Sequence, residues 1–225
     1  MKKSENKIIS TLAHKATLKA KVYENTLSVF NDLKHIAEEI ALETRAAINK
    51  NIKVEYSNKG EFEAELRMAA DLLFITMHTN VFEFPRQHEV MKTSYVKDDP
   101  RRSYCGVIHF YNFLSDSIKY NRINDSGYLI ARLFINREKY FFVEGKREVG
   151  YYYNYFSKGA IDRTKLKDIL ESTMLYCINF DLLTPPYELV KETSVQDIID
   201  NNNYLRIKTG KRLGFRFQAD HEDMK

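Results

Sequence analysis

Between Ile8 and Ile48 the chain carries neither proline nor glycine, and its apolar residues recur in alternating three- and four-residue steps. Tyr23, Phe30, Leu33, Ala37, Ile40 and Ala47 hold the register, with Leu27 one place off and Thr44 breaking the run. Such spacing keeps one stripe on a single side of a helix and is also the seam that a coiled coil needs. A helix of about 40 residues spans about 60 Å, longer than a domain of this size. The expectation is that part of it packs on a second copy, giving a homodimer whose seam is Tyr23, Phe30, Leu33, Ala37 and Ile40.

The period then changes. Ile52–Tyr56 alternates and stops at Ser57-Asn58-Lys59-Gly60, a turn signal. Glu61–Met68 alternates with Phe62, Ala64, Leu66 and Met68 on one face, although Phe62, Leu66, Ala70 and Leu73 also fit a helix. Leu72–Met77 reads as a buried strand and Val81–Phe84 as another. Pro85–Arg102 is a polar, uneven loop, of a length that often carries function. Val107, Tyr111, Leu114 and Ile118 predict a helix ending near Asn121, followed by the turn Asn124–Gly127. Three strand-like runs follow: Tyr128–Ile135, Lys139–Lys146 and Val149–Phe156.

Asp162 then caps a helix with Ile161 placed to staple onto Leu166, and Leu166, Ile169, Leu170, Met174, Cys177 and Ile178 form its apolar face. Thr184-Pro185-Pro186 breaks the chain, and Ser194–Asp197 resembles a capping box that opens a short last helix. Tyr204–Gln218 reads as a hairpin turning at Thr209-Gly210-Lys211.

The predicted fold is therefore α+β: a long N-terminal helix, an antiparallel sheet of five or more strands flanked by helices, and a C-terminal helix and hairpin. Its parts are a dimerisation arm (1–50), a core domain (51–182) and a C-terminal extension (183–225). The order of helix, strands, helix, three strands and helix resembles that of profilin-like folds, including longin and roadblock and, more loosely, GAF and PAS domains. That resemblance implies a ligand-sensing or dimeric adaptor module rather than a catalyst.

Composition narrows the classes. With 15 Tyr and 14 Phe, the 13% aromatic share is more than a disordered chain carries. Two cysteines, Cys105 and Cys177, make no disulfide framework and read as free thiols of a reducing compartment. The charged N-terminus leads into no apolar run, and no segment approaches the roughly 18–20 residues of a membrane helix. The expectation is a cytoplasmic protein with no membrane partner. The net charge of +4 is interleaved along the chain, which fits a solvated surface better than a nucleic-acid footprint.

The most chemical-looking triplet is Glu144-Gly145-Lys146, at the end of an apolar strand. Residues two apart on a strand share a face, so with Asp125 these side chains would hold a divalent metal and orient water, as in acid-x-Lys nucleases. Acid-x-Lys also occurs at Glu5, Asp32 and Asp223, about as often as chance gives, so only its strand distinguishes Glu144. His78, His88 and His109 lack metal-ligand spacing and read as structural. No nucleotide-binding glycine motif or hydrolase elbow is present. No resident metal or cofactor is expected.

Two recognition surfaces remain. In Tyr151–Phe156, alternation sets Tyr151, Tyr153 and Tyr155 on one face, suited to stacking or to a protein interface. Arg206, Lys208, Lys211, Arg212 and Arg216 crowd the terminal hairpin, where they would grip phosphates or protect a sheet edge. Arg101-Arg102 is blunted by Asp98-Asp99. The expected function is a non-enzymatic dimeric module that binds a small ligand or a partner protein. The alternative is a nucleic-acid-binding protein, with metal-dependent cleavage at Asp125, Glu144 and Lys146.

Overall fold

The computed structural model describes residues 2–123, 125–146, 149, 156, 159–181, 184, 186–196 and 198. Helix α1 (Lys2–Ala47) runs without a break for 46 residues, as its strong helix formers and lack of Gly and Pro require. Seven strands follow among the described residues: β1 (Val54–Asn58), β2 (Glu63–Met68), β3 (Asp71–Met77), β4 (Phe82–Glu83), β5 (Tyr104–Leu114), β6 (Tyr128–Asn136) and β7 (Phe141–Gly145). Short helices α2 (Ser94–Asp98) and α3 (Ser115–Lys119) flank β5. Helix α4 (Arg163–Ile178) and a single turn, α5 (Tyr187–Val190), are the last elements among the described residues.

The sheet is an antiparallel meander in the order β1-β2-β3-β5-β6-β7, with the two-residue β4 paired to the start of β5. The α+β class is as the sequence predicts, and so are α1, the hairpin strands and α4. Asp162 caps α4, its carboxylate accepting from the Lys165 amide at 2.9 Å, and Leu166, Ile169, Leu170, Met174 and Cys177 are buried. Ile178, assigned to the same face, is instead 53% exposed in the last turn.

One element is corrected. Val107–Leu114 is not helical; Tyr104–Leu114 is the central strand β5, paired on one side with β3 and on the other with β6, and only α3, Ser115–Lys119, keeps the helix predicted to end near Asn121. Its residues are β-branched and aromatic, and both of its faces are apolar, so every fourth residue is apolar under either period. The sheet is thus continuous where the profilin-like order places a helix between two groups of strands. The loop after Pro85 is also more ordered than its sequence predicts. It is three short helical turns, Glu89–Lys92, Ser94–Asp98 and Pro100–Ser103, capped in order by the side chains of His88, Thr93 and Asp99.

The expected dimer seam is corrected as well. Phe30, Leu33 and Ala37 are completely buried and Ile40 nearly so, and all four belong to the chain's own core beneath the sheet. Tyr23 packs on the edge of that core. The stripe of α1 closes one face of the sheet together with α4, meeting Leu66, Leu73, Ile75, Ile108, Phe110 and Leu133. A fully buried Phe or Leu gains about 1.5–3 kcal/mol from leaving water, which a seam shared with solvent-exposed partners would forfeit. The part of α1 that outruns the body is its N-terminal end, not this stripe.

Contact is closest where Thr26 crosses β5. A Cβ on Gly106 would stand 2.2 Å from Thr26 Oγ1 and 2.8 Å from its Cβ, so only glycine lets helix and strand approach this far. At the same end, Asn25 Nδ2 donates to the carbonyls of Asn136, at 3.2 Å, and Arg137, at 2.8 Å, tying α1 to the β6–β7 turn.

The predicted strand Val149–Phe156 lies outside the described residues except for its ends; Val149 joins the main core and Phe156 the smaller one. The tyrosine row Tyr151, Tyr153 and Tyr155 lies outside them too, as does the terminal hairpin with Arg206, Lys208, Lys211, Arg212 and Arg216.

Replacing Gly106 with Ala is expected to lower stability by about 1–3 kcal/mol by overpacking the α1–β5 crossing. Urea denaturation of G106A, T26A and the double variant should show coupling above about 0.5 kcal/mol, whereas strict additivity would separate the two positions.

Candidate functional site

The two faces of the sheet differ. One is sealed by α1 and α4. On the other, the strand registers set side chains in cross-strand rows that alternate away from the core.

At the β6–β7 turn end, Val107, Phe134 and Phe142 form a row covered by the three-turn segment, with Val90, Val96, Cys105, Phe84 and Tyr95 completing a second, smaller core. This cover is locked by polar bonds. The Tyr95 hydroxyl donates to Glu138 Oε2 at 2.7 Å and accepts from Asn136 Nδ2 at 2.8 Å. Arg102 donates to Glu138 Oε1 at 3.1 Å and to the Tyr95 carbonyl at 3.0 Å, and its guanidinium lies over the Tyr95 ring. Arg137 bridges Asp99 and Glu138. Burial pushes the Tyr95 hydroxyl up, and the Arg101 guanidinium holds the Asp99 carboxyl well below the usual carboxylate range. Each of these groups has its partner within the network, and the network's role is to hold the segment down.

Beyond this cover, three rows remain open among the described residues. The first is Glu63, Thr76, His109, Arg132 and Glu144; the second is Ser57, Glu65, Phe74, Tyr111 and Leu129; the third is Glu55, Arg67, Leu72 and Phe113. The centre is aromatic. Phe74 meets Phe113 edge-on with centroids 6.5 Å apart, Tyr111 lies 6.4 Å from Phe113, and His109 stacks on Tyr111 at 5.8 Å. Phe113 rests on the backbone of Gly127, where a Cβ would come within 2.3 Å of its ring. All four rings are half-buried, held by one another rather than by a covering layer.

The rim of this strip is acidic. Glu55 and Glu63 are exposed and form no ion pair among the described residues. Glu65 pairs with Lys59 at 2.9 Å, and Glu144 with Arg132. A shallow depression of about 160 Å³ under α3 adjoins the strip, lined by Glu55, Glu65, Arg67, Leu72, Ser115 and Lys119 among others. Burial, then the charge of Arg132 and the ring of His78, hold the His109 imidazole below its ordinary value, so the strip centre is uncharged at neutral pH.

The acid-x-Lys constellation is not assembled. Arg132 Nε donates to Glu144 Oε2 at 2.6 Å, so that carboxylate is held by a guanidinium. Asp125 lies before β6 and accepts from Ser117 Oγ at 2.6 Å. Four residue steps along β6, about 13 Å, separate Tyr128 from the Glu144 partner Arg132. Strand β7 ends at Gly145, and beyond it the Lys146 amide donates to the Ile130 carbonyl at 3.0 Å. No group of three or more His, Cys, Asp or Glu residues among those described is placed to hold a metal ion.

The histidines keep local roles. His88 accepts from the Val90 amide at 3.3 Å as a cap, and His78 accepts from the Asn80 amide at 3.0 Å in a turn. His109, expected on a helix, sits on β5. Both cysteines are free and buried, which pushes the thiol of Cys177 up to about 12 and that of Cys105 higher still. Cys105 lies on β5. Among the described residues no helix is long and apolar enough to cross a membrane.

No family model matches the chain, and no curated protein or solved structure is similar to it.

Sequence reasoning did not single out Phe74, Tyr111, Phe113 and Arg132 as a surface. The alternation Val107, His109, Tyr111, Phe113 was the available signal, hidden by the helical reading of the same residues.

The displaced His109 titration sets a sign for pH dependence. Unfolded histidine takes up a proton near pH 6.5, whereas folded His109 does so lower, so as pH falls through this window the unfolded chain binds more protons and stability is lost. Urea midpoints measured between pH 7.5 and 5.5 should therefore drop less steeply in His109→Gln than in the parent. Equal slopes would show that His109 is not the group responsible.

Proposed function

We propose that the protein is a non-enzymatic interaction module that binds an amphipathic, basic protein segment on the open sheet face. The observation that carries this reading is the Phe74–Tyr111–Phe113 strip, left half-exposed on a sheet whose opposite face is fully packed. Withdrawing the exposed remainder of each ring from water gains about 0.5–2 kcal/mol at 25 cal/mol per Å². Three adjoining rings on a rigid strand pair are thus a binding centre of the aromatic kind that protein interfaces favour.

The rim selects the partner. Unpaired Glu55 and Glu63 repel a phosphate backbone and attract lysine or arginine, which disfavours the nucleic-acid alternative despite the stacking surface. The adjoining depression, at about 160 Å³, falls short of the roughly 300 Å³ at which small-molecule sites begin. An extended or helical segment with apolar residues on one side and cations on the other satisfies both strip and rim.

The test is fluorescence anisotropy with the full chain held at about 50 nM and an unrelated 18-residue helical peptide of Lys and Leu as the probe. Binding in the micromolar range is expected, weakened about tenfold by Phe113→Asp and by the exposed pair Glu55→Lys/Glu63→Lys. Affinity that ignores both variants would remove the sheet face as the binding surface.

A further inference from the structure

The chain contains a segment with the chemistry this face selects. The first buried residue of α1 is Val22. The preceding residues 6–21 are exposed apart from a half-buried Leu18, and the helix from Lys2 to Lys21 extends about 30 Å past the body. Ile8, Ile9 and Leu12 are 67%, 61% and 66% exposed. With Ala16 they share one side of the helix, within about 100° of arc at 100° per residue. Ile9, Leu12 and Ala16 continue the heptad register of Tyr23 and Phe30, so the stripe that closes the sheet runs on with nothing beneath it.

Charge is divided in the same way. Lys2, Lys3, Lys7, Lys15, Lys19 and Lys21 stand against Glu5, a net +5 on residues 2–21, whereas residues 22–203 sum to −4. The protein's basic balance is therefore concentrated on the arm and the tail, and its body is acidic.

The arm cannot cover the face of its own chain. Helix α1 is continuous, without the Gly or Pro at which it would fold back. It leaves the sheet at the β6–β7 turn, where Asn25 is bonded, and on the layer opposite the open face. An arm seated on that face therefore comes from another molecule.

Resting on the reading of the sheet face given above, we infer that this molecule is a second copy of the chain, the two copies exchanging arms. Each arm lays Ile8, Leu12 and Ala16 on Phe74, Tyr111 and Phe113 of the other, with its lysines toward Glu55 and Glu63. Lengths agree: Ile8 to Ala16 rises about 12 Å on a helix, and His109 to Phe113 spans about 14 Å on a strand. Reciprocal exchange closes the assembly as a two-fold dimer. Arm-to-arm pairing in parallel would instead set Lys19, at a seam position, against its own copy, a like-charge contact. An anionic lipid surface would attract the arm but leave the aromatic strip uncovered, whereas one exchanged contact covers both.

Sedimentation equilibrium of the full chain tests this, with Leu12→Glu on the arm, Phe113→Glu on the face, and the fully exposed charge variants as folding-safe controls. The expected result is a dimer weakened at least about tenfold by either substitution and by about 0.5 M salt. An equimolar mixture of the two variants should associate more tightly than either alone, because one arm and one face remain intact. Lys15→Glu/Lys19→Glu should weaken the dimer, and Glu55→Lys/Glu63→Lys in the same chain should restore it.

Three results would overturn the inference. One is a monomer at about 100 μM. Another is a dimer lost with Leu12→Glu but indifferent to Phe113→Glu, which means arm-to-arm pairing. The third is a monomer whose arm binds vesicles containing about 30% phosphatidylserine and releases them on Leu12→Glu. In each case the Lys/Leu peptide bound to the Leu12→Glu chain still reads the sheet face by itself, so the inference can fall while the proposed binding surface stands.

Discussion

Thr26 of α1 rests against the bare backbone of Gly106, and that close approach fixes how the long helix crosses the sheet. With the crossing fixed, Phe30, Leu33, Ala37 and Ile40 descend onto β1–β6 and one face of the meander is closed. Asn25 fastens the same turn of helix to the β6–β7 connection through two backbone carbonyls. A helix held at this point and unbroken on either side has no freedom left. Its C-terminal half must cover the sheet and its N-terminal end must leave it.

The opposite face takes its character from what is left to cover it. The turns between Pro85 and Ser103 reach only the row Val107, Phe134 and Phe142, and the Tyr95–Glu138–Arg102 network holds them there. The strip of Phe74, Tyr111 and Phe113 lies outside that cover and solves its hydration locally, ring against ring. Aromatic pairs of this kind gain about 0.5–1.5 kcal/mol beyond their buried area, enough to order the strip without sealing it. An ordered, half-wet apolar surface on a rigid support is what a partner needs to find in advance, because little freedom is then lost on binding.

Electrostatics divides the molecule along the same line as packing. The body is acidic and tightly paired, with Arg132 on Glu144, Arg102 on Glu138 and Arg137 on Asp99. On the open face the Arg132 pair occupies the carboxylate that acid-x-Lys chemistry would require, while Arg67 donates to the Ala69 carbonyl. On the protruding end of α1, residues 2–21, six lysines stand against one glutamate.

What the chain determined by itself is its local structure. The apolar stripe of α1, the Asp162 cap with the buried face of α4, and the connection after Asn58 depend on residues a few positions apart, and their signals are legible in one dimension. The identity of β5 was not, because Val107, Tyr111 and Leu114 satisfy a helical spacing as well as the composition of a strand buried on both faces. Only the pairing with β3 and β6 decides between them, and pairing is non-local. The same holds for the stripe at Tyr23 to Ile40, whose spacing is equally correct for a second helix and for a sheet. Tertiary structure gave it to the sheet, since the core offered more apolar area than a lone partner helix could. Asp125 and Glu144 were parted for the same reason: strand register places side chains in space, and no sequence interval records it.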